Sequence, residues 1–108
     1  MRRTSNGGIE VLNCSRALDA DEMVSMKNKM NRLISRNQKN LVLDMSQTSS
    51  VDLAGLGILV ERLRTMRSLN GDIKFCNIRP EIYQVLQLVG LNGLIEFYSS
   101  REEALASF

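Results

Sequence analysis

The sequence predicts an α/β domain in which a mixed sheet of about four to five strands, parallel after an N-terminal hairpin, carries about four helices. Three observations predict it. Leu41-Val42-Leu43 is a continuous apolar run closed by Asp44, the pattern of a strand covered on both faces, as the centre of a parallel sheet requires. From that run onward, strand-like segments alternate with segments of helical period, which implies right-handed crossovers between parallel strands. At 108 residues, with 44% hydrophobic and 24% charged residues, the chain suits one globular domain over 1–108 and leaves no room for a second.

Residues 1–8 are polar and contain glycine, and they read as a frayed end. Ile9 to Leu12 alternates with Glu10 and opens the first strand. Asp19 or Asp21 then caps a helix to about Arg36, with Met23, Met26, Met30, Leu33 and Ile34 on the face toward the sheet. Methionines in such a stripe fill core gaps more often than they form a pliable binding surface. Lys27, Lys29, Arg32 and Arg36 fall on the solvated side. After a polar break, Asn37 to Asn40, comes the central strand, followed by a polar loop from Ser46 to Ser50.

Asp52 is placed to cap a second helix, Leu53 to about Leu69, by accepting from amides near Ala54 and Gly55. That helix is expected to bury Leu56, Leu59, Val60, Leu63 and Met66 and to expose Glu61, Arg62, Arg64, Arg67 and Ser68. Gly55 and Gly57 each cost a helix about 1 kcal/mol relative to alanine. Either they let the helix pack tightly on its own sheet, or they leave a flat landing site for a partner. Asn70-Gly71 ends the helix with a left-handed cap, and Ile73 to Ile78 makes a strand. Pro80 sits near the first position of the next helix, whose stripe is Ile82, Val85, Leu86 and Val89 and which Gly90 stops. Ile95 to Tyr98 is the last strand, and Ser99 or Ser100 with Glu102 and Glu103 opens a terminal helix carrying Ala104 and Leu105. The expected core contains Leu41, Leu43, Leu56, Leu59, Leu63, Ile73, Phe75, Val85 and Leu86.

Several function classes fall away. A net charge of +2 gives no nucleic-acid footprint, and no histidine is present for catalysis or zinc. Cys14 and Cys76 are isolated and read as two reduced, partly buried thiols rather than a disulfide. No apolar run is long enough to insert in a membrane and no signal-peptide core follows Met1, so a cytoplasmic, soluble protein is expected. Asp44 and Asp52 as a pair would suit magnesium or a receiver-type phosphoacceptor, but Leu12-Asn13-Cys14 lacks the acidic cluster that goes with it. Loop and cap roles for the two are preferred. Gly55-Leu56-Gly57 lacks the lysine of a phosphate loop. No nucleophile has a base, so neither an enzyme, a metal nor a cofactor is indicated.

The stretch LVLDMSQTSSVDLAGLGIL resembles the signature of the STAS domain, and Gly71 to Ile78 with Val85-Leu86-Gln87-Leu88-Val89-Gly90-Leu91 is similar to that family's later strand and helix end. The resemblance implies the STAS fold and, through the anti-sigma factor antagonist group, partner switching in bacterial transcription regulation. In that group the antagonist docks on an anti-sigma factor of the histidine-kinase-like ATPase type, and phosphorylation at the helix start breaks the complex. Carried over by residue, Asp52, Gly55 and Leu56 match the motif. Leu53 and Ala54 stand where the family has two hydroxyl residues, with Ala54 at the phosphoacceptor position and not phosphorylatable. Arg16 stands where the family has a glycine before Leu18-Asp19. The resemblance thus implies a partner surface of Asp19, Ser50, Asp52, Leu53, Ala54, Gly55 and Leu56, on a monomer or weak dimer. Ser49 or Ser50 remains as a substitute acceptor. The alternative is a structural STAS subunit of a larger assembly, such as a lipid-transport ABC complex or a stressosome-like particle.

Overall fold

The computed structural model describes residues 8–108, so the expected frayed end over residues 1–8 lies almost wholly outside the described residues. In order the elements are β1 (Ile9–Asn13), β2 (Ala17–Leu18), α1 (Ala20–Ser35), β3 (Asn40–Asp44), β4 (Ser50–Val51), α2 (Leu53–Ser68), β5 (Asp72–Cys76), α3 (Pro80–Leu88), β6 (Phe97–Tyr98) and α4 (Arg101–Ala106). A four-stranded sheet runs β1-β3-β5-β6, and β2 pairs with β4 in a small second sheet. Every ladder is parallel. The apolar run Leu41-Val42-Leu43 is central and fully buried, as its composition requires.

The expected N-terminal hairpin does not occur among the described residues. Instead β1 pairs in parallel with β3, Leu12 opposite Leu43, and β2 in parallel with β4, Leu18 opposite Val51. Parallel neighbours need a long crossover, and α1 supplies it for both pairs. Arg16 costs nothing in place of glycine, because the non-glycine residues with positive φ are Asn37, Asn70 and Asn77.

On the first face of the sheet α1, α2 and α3 close over the main core, in which Met23, Met26, Met30, Leu41, Leu43, Leu59, Leu63, Ile73 and Phe75 are buried. Every expected core residue joins it, Val85 at its margin. The second face carries a smaller cluster, Ile9, Val42, Cys76 and Ala104, and α4 is the helix packed there among the described residues.

Local chemistry sets the element ends. Asn70 takes the left-handed φ of 66°, and the Gly71 amide donates to Met66 O at 2.8 Å. Gly71 is needed for a different reason, since a Cβ there would stand 2.0 Å from Lys39 O. Pro80 occupies the first turn of α3 as expected.

Three side-chain expectations and one strand are corrected. Val60 is half-buried rather than core. Arg62, expected in solvent, is buried at 7% exposure because Asn31, Glu61 and Thr65 each accept from its guanidinium, so its charge is held between α1 and α2. Arg67 reaches back to Asp72 at 3.0 Å and to Leu94 O at 2.9 Å, tying the end of α2 to the sheet. The last strand shrinks to Phe97–Tyr98, because β5 offers rungs only at Phe75 and Cys76 while Ile95 turns into the core.

Candidate functional site

The Leu18–Val51 rung, together with the Asp52 amide donating to Leu18 O at 3.2 Å, sets the starts of α1 and α2 side by side. Asp19 caps α1, accepting from the Glu22 amide at 2.9 Å, and Asp52 caps α2, accepting from the Gly55 amide at 2.7 Å. Each aspartate also compensates the positive end of its helix. The loop before α2 is fixed from beneath: Thr48 is buried and its hydroxyl donates to Ser15 O at 2.8 Å, while the Ser49 and Ser50 amides donate to Arg16 O.

The two glycines of α2 divide between the two expected readings. A Cβ on Gly55 would lie 2.3 Å from Leu18 O, so Gly55 is needed for the helix to pack on β2. A Cβ on Gly57 would meet nothing within 4 Å. Gly57 therefore has no packing reason among the described residues.

Around Gly57 the surface is apolar. Leu53 is 74% exposed at the first position of α2, with Ala54 exposed beside it. On one side lies a groove of about 380 Å³ between α1 and α2, whose apolar walls include Val24 and Ile58 and whose rim carries Lys27 and Glu61. On the other side a groove of about 290 Å³ is lined by Leu53, Leu56, Val60, Val89 and Leu91. Both open beside Leu53 and Gly57.

Asp44 ends β3 at the same end of the sheet and is 5% exposed. Burial alone would raise its pKa, but hydrogen bonds from Arg101, Ser46 and Asn77 outweigh it and hold the carboxyl below its usual range. The expected loop role holds: the Ser46 amide donates to Asp44 Oδ1 at 3.0 Å. Cys14 and Cys76 are free and buried, and burial pushes their thiols up to about 12 and about 11 respectively. Such thiols are poor nucleophiles.

A family model described as the STAS domain matches residues 1–104. The chain belongs to the STAS domain family. The "Anti-sigma F factor antagonist" of Paenibacillus polymyxa is 24% identical over 99 residues, covering 91% of this chain and 85% of that protein. Among solved structures, Bacillus SpoIIAA in its phosphorylated form has a TM-score of 0.72 at 20% identity, over 98% of this chain and 95% of that one. A sulfate transporter family protein from Wolinella succinogenes has a TM-score of 0.83 at 16% identity, over 94% and 84% of the two chains. The STAS fold is therefore common ground for proteins named in quite different settings.

Within this STAS domain the expected partner residues separate into two layers. Asp52, Leu53, Ala54 and Ser50 are exposed around the start of α2, and Asp19 is half-buried next to them. Gly55 and Leu56 are buried and support the surface from behind. Sequence reasoning missed Val24, 50% exposed, and Val89, 42% exposed. Val24 is legible as an apolar residue off the stripe of α1; Val89 falls in the apolar stripe expected for α3, but the helix ends at Leu88 and leaves Val89 at the cap.

Proposed function

We propose that this STAS domain is an anti-sigma factor antagonist-like binding protein that docks, in the cytoplasm, on an anti-sigma factor of the histidine-kinase-like ATPase type. The observation that supports it best is Leu53, 74% exposed at a capped helix start between two apolar grooves. Solvated leucine at the centre of such a surface gives the free protein little stability and is a source of affinity in a complex. Ala54, at the family's phosphoacceptor position, is exposed and carries no hydroxyl, so the domain binds constitutively and regulation lies with expression or with the partner. Ser49 and Ser50 are exposed, but both precede the cap Asp52 and are held by their amides to Arg16 O.

Isothermal titration against the anti-sigma ATPase of the same organism tests the docking surface. Ala54→Asp places a charge beside Asp52 and is expected to weaken binding by about 1 kcal/mol or more. Unchanged affinity would move the interface elsewhere. Mass spectrometry after incubation with that ATPase and ATP is expected to find phosphate on Ala54→Ser and none on the unmodified chain; stoichiometric phosphate on Ser49 or Ser50 would overturn the constitutive reading.

A further inference from the structure

The second face of the sheet is held shut quite differently from the first. α4, Arg101–Ala106, is six residues long and buries only Ala104 fully. A helix of that length has little stability of its own. It is fastened at both ends by charge. At its start, Arg101 Nε donates to Asp44 Oδ2 at 2.7 Å and Arg101 Nη2 to Asn13 Oδ1 at 2.5 Å. Past its end, Lys74 Nζ donates to Ser107 O at 2.8 Å and lies 4.6 Å from the Phe108 ring centre. Beneath it sit Val42, Ile9 and the Cys76 thiol.

Asp44 has a second duty. Its other oxygen, Oδ1, accepts from the Ser46 amide and so shapes the first turn of the loop that leads to Ser50 and Asp52. One carboxylate therefore serves both the strap and the loop. We propose that α4 is a detachable strap, released as a unit from the second face, and that its latch Asp44 couples that release to the loop before α2. Opening breaks the 2.7 Å Arg101 contact, leaves Asp44 Oδ2 with the longer 3.3 Å bond from Asn77 Nδ2, and so loosens the carboxylate and the Ser46 turn; ordering the loop in turn favours the closed strap, since coupling between two sites is reciprocal. Its regulatory meaning rests on the docking role proposed for that loop, but the coupling is measurable with no partner present.

The two cysteines make the test, because they lie on opposite faces: Cys14 under the main core and Cys76 under the strap. In the unmodified protein under native conditions, a thiol reagent followed by peptide mass spectrometry should label Cys76 faster than Cys14. Arg101→Gln should raise the Cys76 rate at least about tenfold and leave Cys14 unchanged, as local rather than global opening demands. The same variant should speed hydrogen exchange at the Ser46 and Thr48 amides. Equal labelling of both thiols in the unmodified chain, or rates that rise together in the variant, would mean global unfolding and overturn the strap. Unchanged exchange at Ser46 and Thr48 would overturn the coupling through Asp44.

Discussion

On the inner face of α2, Gly55, Leu56, Leu59, Leu63 and Met66 are buried, and a Cβ at Gly55 would come within 2.3 Å of Leu18 O. On the outer face of its first turns, Leu53 and Ala54 stand in solvent and a Cβ at Gly57 would meet nothing. Every inner residue is explained by what it touches in the same chain. The outer ones are not: a helical glycine without a close neighbour among the described residues lowers the stability of the isolated domain, and a leucine in water adds nothing to it. The difference teaches which residues folding accounts for and which it leaves over, and the docking proposal rests on the second set.

The largest expected effects lie inside. Leu59→Ala empties space under α2 and Leu43→Ala empties space in the central strand below it, both residues being 1% exposed or less. Each should lose about 2 to 5 kcal/mol in urea titrations, the range for buried leucine truncation. Losses under about 1 kcal/mol for both would mean that the inner face is not the stabilising one.

The glycine pair tests the comparison directly, because one substitution at two positions should act with opposite sign. Gly55→Ala drives a methyl into a backbone carbonyl that has no flexible end to swing away, and it should destabilise by about 1 to 3 kcal/mol. Gly57→Ala fills open space on a helix and should stabilise by up to about 1 kcal/mol, seen as a higher midpoint at unchanged slope. If Gly57→Ala also weakens binding of the proposed anti-sigma ATPase partner, the glycine is held there by that partner. Two destabilised variants would erase the distinction between the faces.

Much of this was legible in the sequence. Asp52 as a cap, Leu43 as centre, and the positions of α1, α2 and α3 follow from periodicity and capping chemistry, which are local. What failed to show was long-range. Parallel pairing of β1 with β3 depends on partners about thirty residues apart, a separation on which local propensity is silent. Arg62 reads as solvated until Asn31 and Thr65 are seen around it, and the role of Arg101 appears only with Asp44, 57 positions away. For the site, the sequence could name Gly55 and Gly57 together but not tell them apart. That needed the position of Leu18 O.

The smallest expected change in stability belongs to Leu53, and it is the most informative for function. With 74% of its surface already in water, Leu53 gives the folded state little that the unfolded chain lacks. Leu53→Gln should therefore leave the unfolding free energy within about 0.5 kcal/mol, as exposed substitutions do. The same change removes the apolar crest between the grooves beside Val24 and Val89. In a complex seated there, a buried leucine contributes about 1.5 to 3 kcal/mol, and a glutamine amide left without a partner would add a penalty of its own. Titration of the proposed anti-sigma ATPase partner should thus show affinity falling at least about tenfold while the melting curve stays in place. A fall in both would return Leu53 to the inner set, and a fall in neither would leave the outer face of α2 without a role in binding.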